Sequence, residues 1–454
     1  MTRRRRLAVA AVGLLAAAVA PAAAHGAGLS GAADRSLSVP TWLFLTTGGG
    51  VIGASFLLAS FVTDRSFIRR VHGWRRGGLR PARAARWLGR AVGLGGLAAV
   101  LVAGLVGPRE ATRNAAVLTV WVGWWSGYTM TTYLVGNSWP AVDPWRTLAA
   151  PLPSLDVDYP DRLDAWPSVA ALLGLVWLEV VSPVADRPRF LAGVVAAYGV
   201  VTLAGTVVFG ADVWFRRVDP VARLFRYFGR MAPLHYDDGV RLRLPGVGLD
   251  EPRLVTSRAE VAFVVAVLWV TTFDGLVATP LWRDAAVAVV GAGVPPGLLY
   301  PAALVAGYAA VCGVYALAVR YSKRAARTYL PADVLARRFA PPLLAIAAGY
   351  HLAHFLGYFL ELAPALAAAA IAPLSPPEPV ALVLPGWFGG IELAGVLLGH
   401  LLAIWVAHAA AYDVFPGKLQ AVRSQYGITV AMVCYTMASL WIVSQPYAVP
   451  PYVT

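Results

Sequence analysis

Long apolar runs recur along this chain and are separated by short segments rich in arginine, proline and acidic residues. Ten of the runs are about 20 residues long, which is the length that crosses the hydrocarbon core of a bilayer as an α-helix. They cover residues 41–63, 88–107, 115–136, 165–184, 190–212, 260–280, 297–320, 341–362, 391–412 and 427–446. The pattern predicts an all-α fold, namely one polytopic helix bundle of about ten transmembrane helices within residues 25–454.

The amino-terminal segment has the three parts of a secretory signal peptide. Four arginines from Arg3 onward precede an apolar run at 7–20, and three alanines follow at 22–24. This order predicts a signal peptide over residues 1–24 that is cleaved before His25; the alternative is an uncleaved first anchor. After cleavage, the free α-amine beside the imidazole of His25 would form a chelating pair for copper(II).

The composition changes the picture by excluding whole classes of protein. Hydrophobic residues make up 58% of the chain and charged residues only 14%, whereas soluble domains have about 45–50% and about 25%. These values exclude a soluble enzyme, a disordered chain and a fibrous protein. The chain has no P-loop, GxSxG or HExxH motif, and its GxGxxG spacings, at residues 26–31 and 48–53, follow no predicted strand, so the sequence does not indicate a nucleotide or nucleic-acid partner.

The net charge of +14 is informative through its position along the chain. With the mature amino terminus outside, the cytoplasmic loops are 64–87, 137–164, 213–259, 321–340 and 413–426. The loops 64–87, 213–259 and 321–340 are the basic ones, while the opposite loops carry few arginines. The positive-inside rule therefore predicts an N-out, C-out multi-pass protein of the cell membrane.

The longest loop contains a basic amphipathic stretch at residues 221–231. Its apolar side chains Leu224, Phe225, Phe228 and Met231 fall on one side of a helix. Such a stretch predicts a helix that lies on the anionic inner leaflet. The alternative is a solvated charged loop.

Titratable side chains inside the apolar runs mark the candidate functional site, because each costs about 2.5–3.5 kcal/mol at the bilayer centre. The eighth run carries His351, His354, Tyr358 and Glu361, at a spacing that places all four on one helix face. Two imidazoles one turn apart can share a metal ion. The alternative is a polar, hydrogen-bonded face packed between helices.

The ninth run adds His400, which is expected to lie level with His351 and His354 near the bilayer midplane. Consecutive spans joined by a short loop are commonly neighbours, so the three imidazoles can meet. His408 and Asp413 follow in the same run and are expected nearer the cytoplasm. A lone intramembrane histidine can also be a satisfied packing residue.

Two further carboxylates fall within apolar runs, Glu179 in the fourth and Asp274 in the sixth. A carboxylate at that depth requires a cation, a hydrogen-bond donor or a proton. Together with the histidines they offer ligands that suit zinc, iron, manganese or copper. We therefore predict His351, His354, His400 and Asp274 as metal ligands, with Glu179 as a further candidate.

Several short segments, which are spread over most of the chain, are informative when they are taken together. They are residues 25–26 (HG), 38–44 (SVPTWLF), 143–146 (DPWR), 166–167 (WP), 177–179 (WLE), 226–233 (RYFGRMAP), 271–275 (TTFDG) and the histidine face at 350–361. As a set they resemble the fenitrothion hydrolase-like family of integral membrane proteins. The resemblance implies hydrolysis of an organophosphorus triester, and no catalytic residues are carried over with it.

Three functions follow as hypotheses. The first is a metal-dependent hydrolase of small apolar esters, with metal-bound water as nucleophile and Asp274 with Glu361 or Glu179 completing the metal sphere or acting as general base. The second is a proton- or metal-handling transporter that uses a ladder from Asp274 and Glu361 through the histidines to His408 and Asp413. The third is a haem-binding electron-transfer subunit with histidine ligands from the eighth and ninth spans.

Overall fold

The computed structural model describes residues 19–21, 41–79, 83–236, 239–446 and 448–453. The predicted signal peptide lies outside the described residues except for Val19–Pro21, a short strand (β1) that pairs antiparallel with Val380–Leu382 (β5). His25, the predicted copper ligand, also lies outside the described residues.

The main helical segments of the described ranges overlap the ten predicted apolar runs one by one. In chain order they are α1 (Thr41–Ser60), α2 (Arg83–Val106), α3 (Ala115–Val117, the π-helix Leu118–Tyr128 and Thr129–Leu134), α4 (Trp166–Val181), α5 (Pro188–Phe209), α6 (Arg258–Val277), α7 (Pro296–Ala326), α8 (Pro342–Ile371), α9 (Phe388–Val414) and α10 (Tyr426–Val443). The fold is therefore mostly helical, in agreement with the predicted all-α bundle.

Seven helices of the described chain are long and apolar enough to cross a membrane. These are α2 and α5 to α10; α8 and α10 are counted together with the short helices before them. The count rises to eight if Leu45–Ser60 and Arg65–Gly73, which meet at a bend of 114°, form one span. The protein is thus a multi-pass membrane protein that contacts a lipid bilayer, and the figure of ten spans stays a prediction.

Short elements connect the long helices. The helices are Arg65–Gly73, Ala111–Arg113, Trp139–Val142, Pro144–Ala149, Asp161–Leu163, Ala211–Val213, Trp214–Val218, Pro220–Phe228, Val247–Asp250, Pro280–Gly291, Ala332–Phe339 and Lys418–Arg423. The strands are β2 (Arg75–Leu79), β3 (Leu234–Tyr236) and β4 (Val240–Arg243), which form one antiparallel sheet in the order β2-β4-β3. The two basic loops are therefore joined to each other by a sheet.

The starts of several helices are fixed by side chains that accept hydrogen bonds from free backbone N–H groups. Asp64 accepts from Ser66 N at 2.8 Å, and the side chains of Asn114, Asp143 and Ser257 act in the same way at later helix starts. Such caps each stabilise a helix by about 1 kcal/mol. These polar residues therefore fix the positions in the chain at which the helices begin.

The centre of the bundle is formed by α6 and the first half of α8. Every residue of α6 from Ala262 to Val270 is buried, as expected of a helix that is apolar on all sides. Next to it, α8 and α9 touch backbone to backbone, because a Cβ atom at Gly349 would lie 2.6 Å from the Gly395 carbonyl oxygen. Small residues allow this close approach between membrane helices.

The amphipathic stretch of the long loop is helical, as predicted, but its location was predicted wrongly. In Pro220–Phe228 the side chains of Leu224, Phe225 and Phe228 are at most 4% exposed. The Phe225 ring packs 5.1 Å from Trp139, centroid to centroid. The apolar face is therefore buried inside the protein and is not available to the inner leaflet.

Candidate functional site

The candidate site is built around one ion pair between two central helices. His354 of α8 and Asp274 of α6 lie with Nε2 and Oδ2 3.3 Å apart. Their side chains are 34% and 28% exposed, so both members of the pair are partly accessible. Since Nε2 faces the carboxylate, the neutral imidazole of His354 is favoured with its proton on Nε2, and the second ring nitrogen, Nδ1, then carries the lone pair.

A tyrosine and a glycine position this pair. The Tyr350 ring stacks against the His354 imidazole with centroids 6.1 Å apart and planes at 15°. The Tyr350 hydroxyl sits directly against Gly275, where a Cβ atom would overlap with it. This hydroxyl is buried and has no hydrogen-bond partner within the described ranges. Because Gly275 has no side chain, the Tyr350 hydroxyl can lie next to the residue that follows Asp274.

Two further carboxylates act electrostatically on the pair. Glu179 of α4 interacts with Asp274, and Glu392 of α9 interacts with His354. The site therefore combines one imidazole with three carboxylates from three different helices. Such a cluster has a negative potential when its carboxylates are ionised, and it stabilises a proton on His354.

His351, one turn before His354, faces a different helix. Its Nε2–H donates to the Trp125 carbonyl oxygen at 3.2 Å, and its Nδ1 accepts from the Tyr133 hydroxyl at 3.0 Å. Both partners belong to α3, and His351 is only 1% exposed. Both ring nitrogens are therefore occupied, and the structure does not bring His351 to Asp274.

His400 is also held away from the pair. It is fully buried, and its Nδ1–H donates to the Val396 carbonyl oxygen of its own helix at 2.9 Å. Its Nε2 atom is buried with no hydrogen-bond partner in the described chain, and its ring lies 6.2 Å from that of Tyr435. A haem between α8 and α9 would require these helices to separate, because their backbones touch at Gly349 and Gly399.

The predicted metal set is therefore assembled only in part. No group of three or more His, Cys, Asp or Glu side chains with a metal-holding arrangement occurs among the residues that the structure describes. His354 and Asp274 supply two adjacent donors, while His351 and His400 have other neighbours. The residues present do not fit a closed metal site in this conformation, and the metal itself stays a prediction.

The secondary candidates divide between the surroundings of the His354–Asp274 pair and the predicted cytoplasmic side. Tyr358 interacts electrostatically with Glu179, and Glu361 lies seven residues beyond His354, about 10 Å along α8. On the other side, the Nε2–H of His408 donates to the Val62 carbonyl oxygen at 2.9 Å. Asp413 is bound by an Arg338 guanidinium at 2.9 Å. The inner members of the predicted ladder thus hold loops and helices together.

Reasoning from the sequence missed Tyr350, Gly275 and Tyr133. A signal for the first two was present, since Gly275 directly follows Asp274 and Tyr350 directly precedes His351. Tyr133 had no such signal, because its role depends on which helix packs against His351.

Neither a protein-family model, nor a curated protein, nor a solved structure matches this chain. The resemblance to the fenitrothion hydrolase-like family stays a prediction, and the functional argument rests on the residues of the site.

Proposed function

We propose that this protein is a hydrolase embedded in the cell membrane, which uses the His354–Asp274 pair to cleave small apolar esters of the organophosphorus type. The observation that supports the proposal is an imidazole, one-third exposed, that is paired with a carboxylate at membrane depth. Ionisable groups at that depth are costly and are commonly kept for a function.

The chemistry follows from the hydrogen bond. The Asp274 carboxylate faces Nε2 and keeps the imidazole proton on that atom, which leaves the lone pair of His354 on Nδ1. Nδ1 takes a proton from a water molecule while the water oxygen attacks the phosphorus or carbonyl centre. The bond to the leaving oxygen breaks, and the imidazolium returns the proton to that oxygen. The carboxylates of Asp274 and Glu392, which both interact with His354, stabilise the transient imidazolium.

A metal ion bound by His354 and Asp274 would supply an activated water at neutral pH. Because the four predicted ligands are not assembled, we derive no step through such an ion.

The experiment measures phenolate release from an aryl phosphotriester by purified protein in detergent. We expect His354→Gln and Asp274→Asn each to lower the rate by about 10²- to 10⁴-fold, the usual contribution of a general base. His72→Gln is the matched control, because His72 forms a similar pair with Asp250 at 3.2 Å on the cytoplasmic side. Full activity in His354→Gln, or no turnover of any aryl ester by the wild type, would overturn the proposal.

A transporter of protons or metal ions is the second candidate, favoured by the three carboxylates around His354. Its test is ion flux into liposomes that contain the wild type or Glu179→Gln. Flux that is lost in Glu179→Gln, together with an absence of hydrolysis, would assign the cluster to transport. Metal analysis of the same preparations decides whether an ion is bound.

A further inference from the structure

A cavity of about 370 Å³ lies on the predicted cytoplasmic side, far along the chain from the His354–Asp274 pair. It is lined by two stretches of the chain. The first, residues 137–146, includes the helix Trp139–Val142 and the start of the helix Pro144–Ala149. The second, residues 212–226, includes the π-helix Trp214–Val218 and most of the helix Pro220–Phe228. The volume falls within the lower range of small-molecule sites in proteins. Two stretches that are distant in the sequence therefore converge to form this concave surface.

The walls of the cavity are basic and aromatic. Arg146, Arg216 and Arg226 line it together with one carboxylate, Asp212. The lining therefore carries a net charge of +2, counted as three guanidinium groups less one carboxylate. Trp139 and Phe215 supply apolar walls beside the guanidinium groups.

Arg146 is held in position without its hydrogen-bonding capacity being used up. Its guanidinium carbon lies 4.4 Å from the Phe215 ring centroid, and its Nε is buried with no hydrogen-bond partner in the described part of the chain. Asp143 and Asp219 lie near Arg146, but both accept hydrogen bonds from backbone N–H groups at helix starts. Arg146 is thus oriented and can still donate.

The other two arginines are placed by a buried framework. Arg223, 1% exposed, donates to the Arg216 carbonyl oxygen at 2.5 Å and pairs with Glu260 at 3.0 Å. The guanidinium group of Arg226 lies over the Tyr227 ring and 3.6 Å from Glu260. The backbone that carries the cavity is therefore fixed before any ligand binds, which lowers the entropy cost of binding.

We propose that this cavity binds a phosphate group through Arg146, Arg216 and Arg226. Guanidinium groups match phosphate oxygens as two-pronged donors, and several of them together are the usual means of recognising phosphate. The phosphate belongs to an anionic phospholipid headgroup of the inner leaflet or to a soluble phosphate compound. The proposal is independent of the hydrolase function, because none of its residues belongs to the His354 site.

The test compares the wild type with Arg146→Gln, Arg226→Gln and Arg324→Gln in zwitterionic lipid nanodiscs. Arg324 is the matched control, since it lies in a different basic groove with Arg320 and Lys323 and its substitution removes the same charge. Binding of phosphatidic acid and of inorganic phosphate is titrated by the rise in melting temperature. Wild-type-like elution and circular dichroism of each variant show that it is folded.

We expect Arg146→Gln and Arg226→Gln each to weaken binding at least tenfold, and Arg324→Gln to leave it within twofold. An Arg146→Lys variant keeps the positive charge but lacks the two-pronged hydrogen-bond donor of the guanidinium group, so we expect an intermediate loss of binding. A response to phosphatidic acid alone assigns the cavity to a headgroup, and a response to inorganic phosphate assigns it to a soluble compound. No response to either ligand, or an equal loss in Arg324→Gln, would overturn the proposal.

Discussion

Replacing Asp143 by asparagine is expected to stabilise the protein at neutral and alkaline pH. Asp143 is 1% exposed, and its Oδ1 accepts hydrogen bonds from Trp145 N at 3.0 Å and Arg146 N at 3.2 Å. Asparagine caps a helix about as well as aspartate does. The substitution Asp143→Asn therefore removes a buried charge and keeps the helix start.

The magnitude follows from the carboxyl group's pKa. Burial first, and the charge of Asp219 second, raise the pKa of Asp143 to about 7, while the backbone N–H and the charge of Arg146 oppose this. The unfolded chain has a pKa of about 3.9 at this residue. The folded state binds the proton more tightly, so stability is lost as pH rises from about 4 to about 7 and is constant above that. A pKa difference of about 3 corresponds to ~4 kcal/mol.

The assay is the melting temperature of wild type and Asp143→Asn in one detergent between pH 4.5 and 9, followed by tryptophan fluorescence. For a chain of this length ~4 kcal/mol corresponds to ~4 °C. We expect the advantage of the variant to grow up to about pH 7 and then to level off. A difference that is independent of pH, or a variant that melts lower than the wild type at pH 8, would refute the reasoning.

Asp64 provides the matched control for this experiment. It caps the helix Arg65–Gly73 by accepting from Ser66 N at 2.8 Å, but it is exposed to solvent. Hydrogen bonds from Ser66 and Phe67 lower the pKa of Asp64 instead of raising it. Stability from this group is present above the unfolded pKa and lost as pH falls. Asp64→Asn should therefore give no gain at alkaline pH.

Two further substitutions test the packing on which both sites depend. Arg223→Met is expected to lower the melting temperature, because it removes the partner of Glu260 at 3.0 Å and leaves Arg226, 3.6 Å away, beside that carboxylate. Breaking a buried pair costs about 3–5 kcal/mol, and the remaining arginine reduces this loss. Adding Glu260→Gln should restore part of the stability, and no recovery would contradict this account. Gly349→Ala should destabilise the protein by about 1–3 kcal/mol, since its Cβ would lie 2.6 Å from the Gly395 carbonyl oxygen. Gly313→Ala, where nothing lies within 4 Å of the added atom, should be tolerated, and equal melting temperatures of these two variants would disprove the close contact.

The positions of the helices could be predicted from the sequence, whereas their ends could be predicted only where capping residues or loop composition mark them. The run predicted at 341–362 extends in α8 to Ile371, because Pro364 lies inside the helix instead of ending it. Proline is tolerated in membrane helices whose neighbours satisfy the freed carbonyl group. The run predicted at 297–320 extends in α7 to Ala326, since hydropathy marks the lipid-facing part and not the basic end beyond it.

The number of arginines in each loop predicted the orientation of the protein in the membrane. It could not predict what each arginine contacts. In the structure, some guanidinium groups are structural: Arg65 donates to the Pro416 carbonyl oxygen at 2.8 Å, and Arg338 to that of Asp250 at 2.6 Å. Others, such as Arg146, line a cavity and retain free donor capacity. Whether an arginine is structural or keeps free donors depends on which backbone carbonyl groups lie near its guanidinium group. Tertiary packing determines this.

The sequence likewise could not predict which histidine has a functional role. The energetic cost of burying an imidazole distinguishes His354, to which we assign a function, from the others. A buried imidazole is costly unless its nitrogen atoms are hydrogen-bonded. In α8 and α9, His351, His400 and His408 are at most 1% exposed, and each donates to a backbone carbonyl oxygen. Such a neutral imidazole gains little from becoming charged. His354 donates to a carboxylate and is one-third exposed, so both its protonation states are stabilised and solvent or substrate can reach it. The spacing along the helix predicted that His351 and His354 act together, but the 60° between them directs His351 to α3 and His354 to Asp274 of α6.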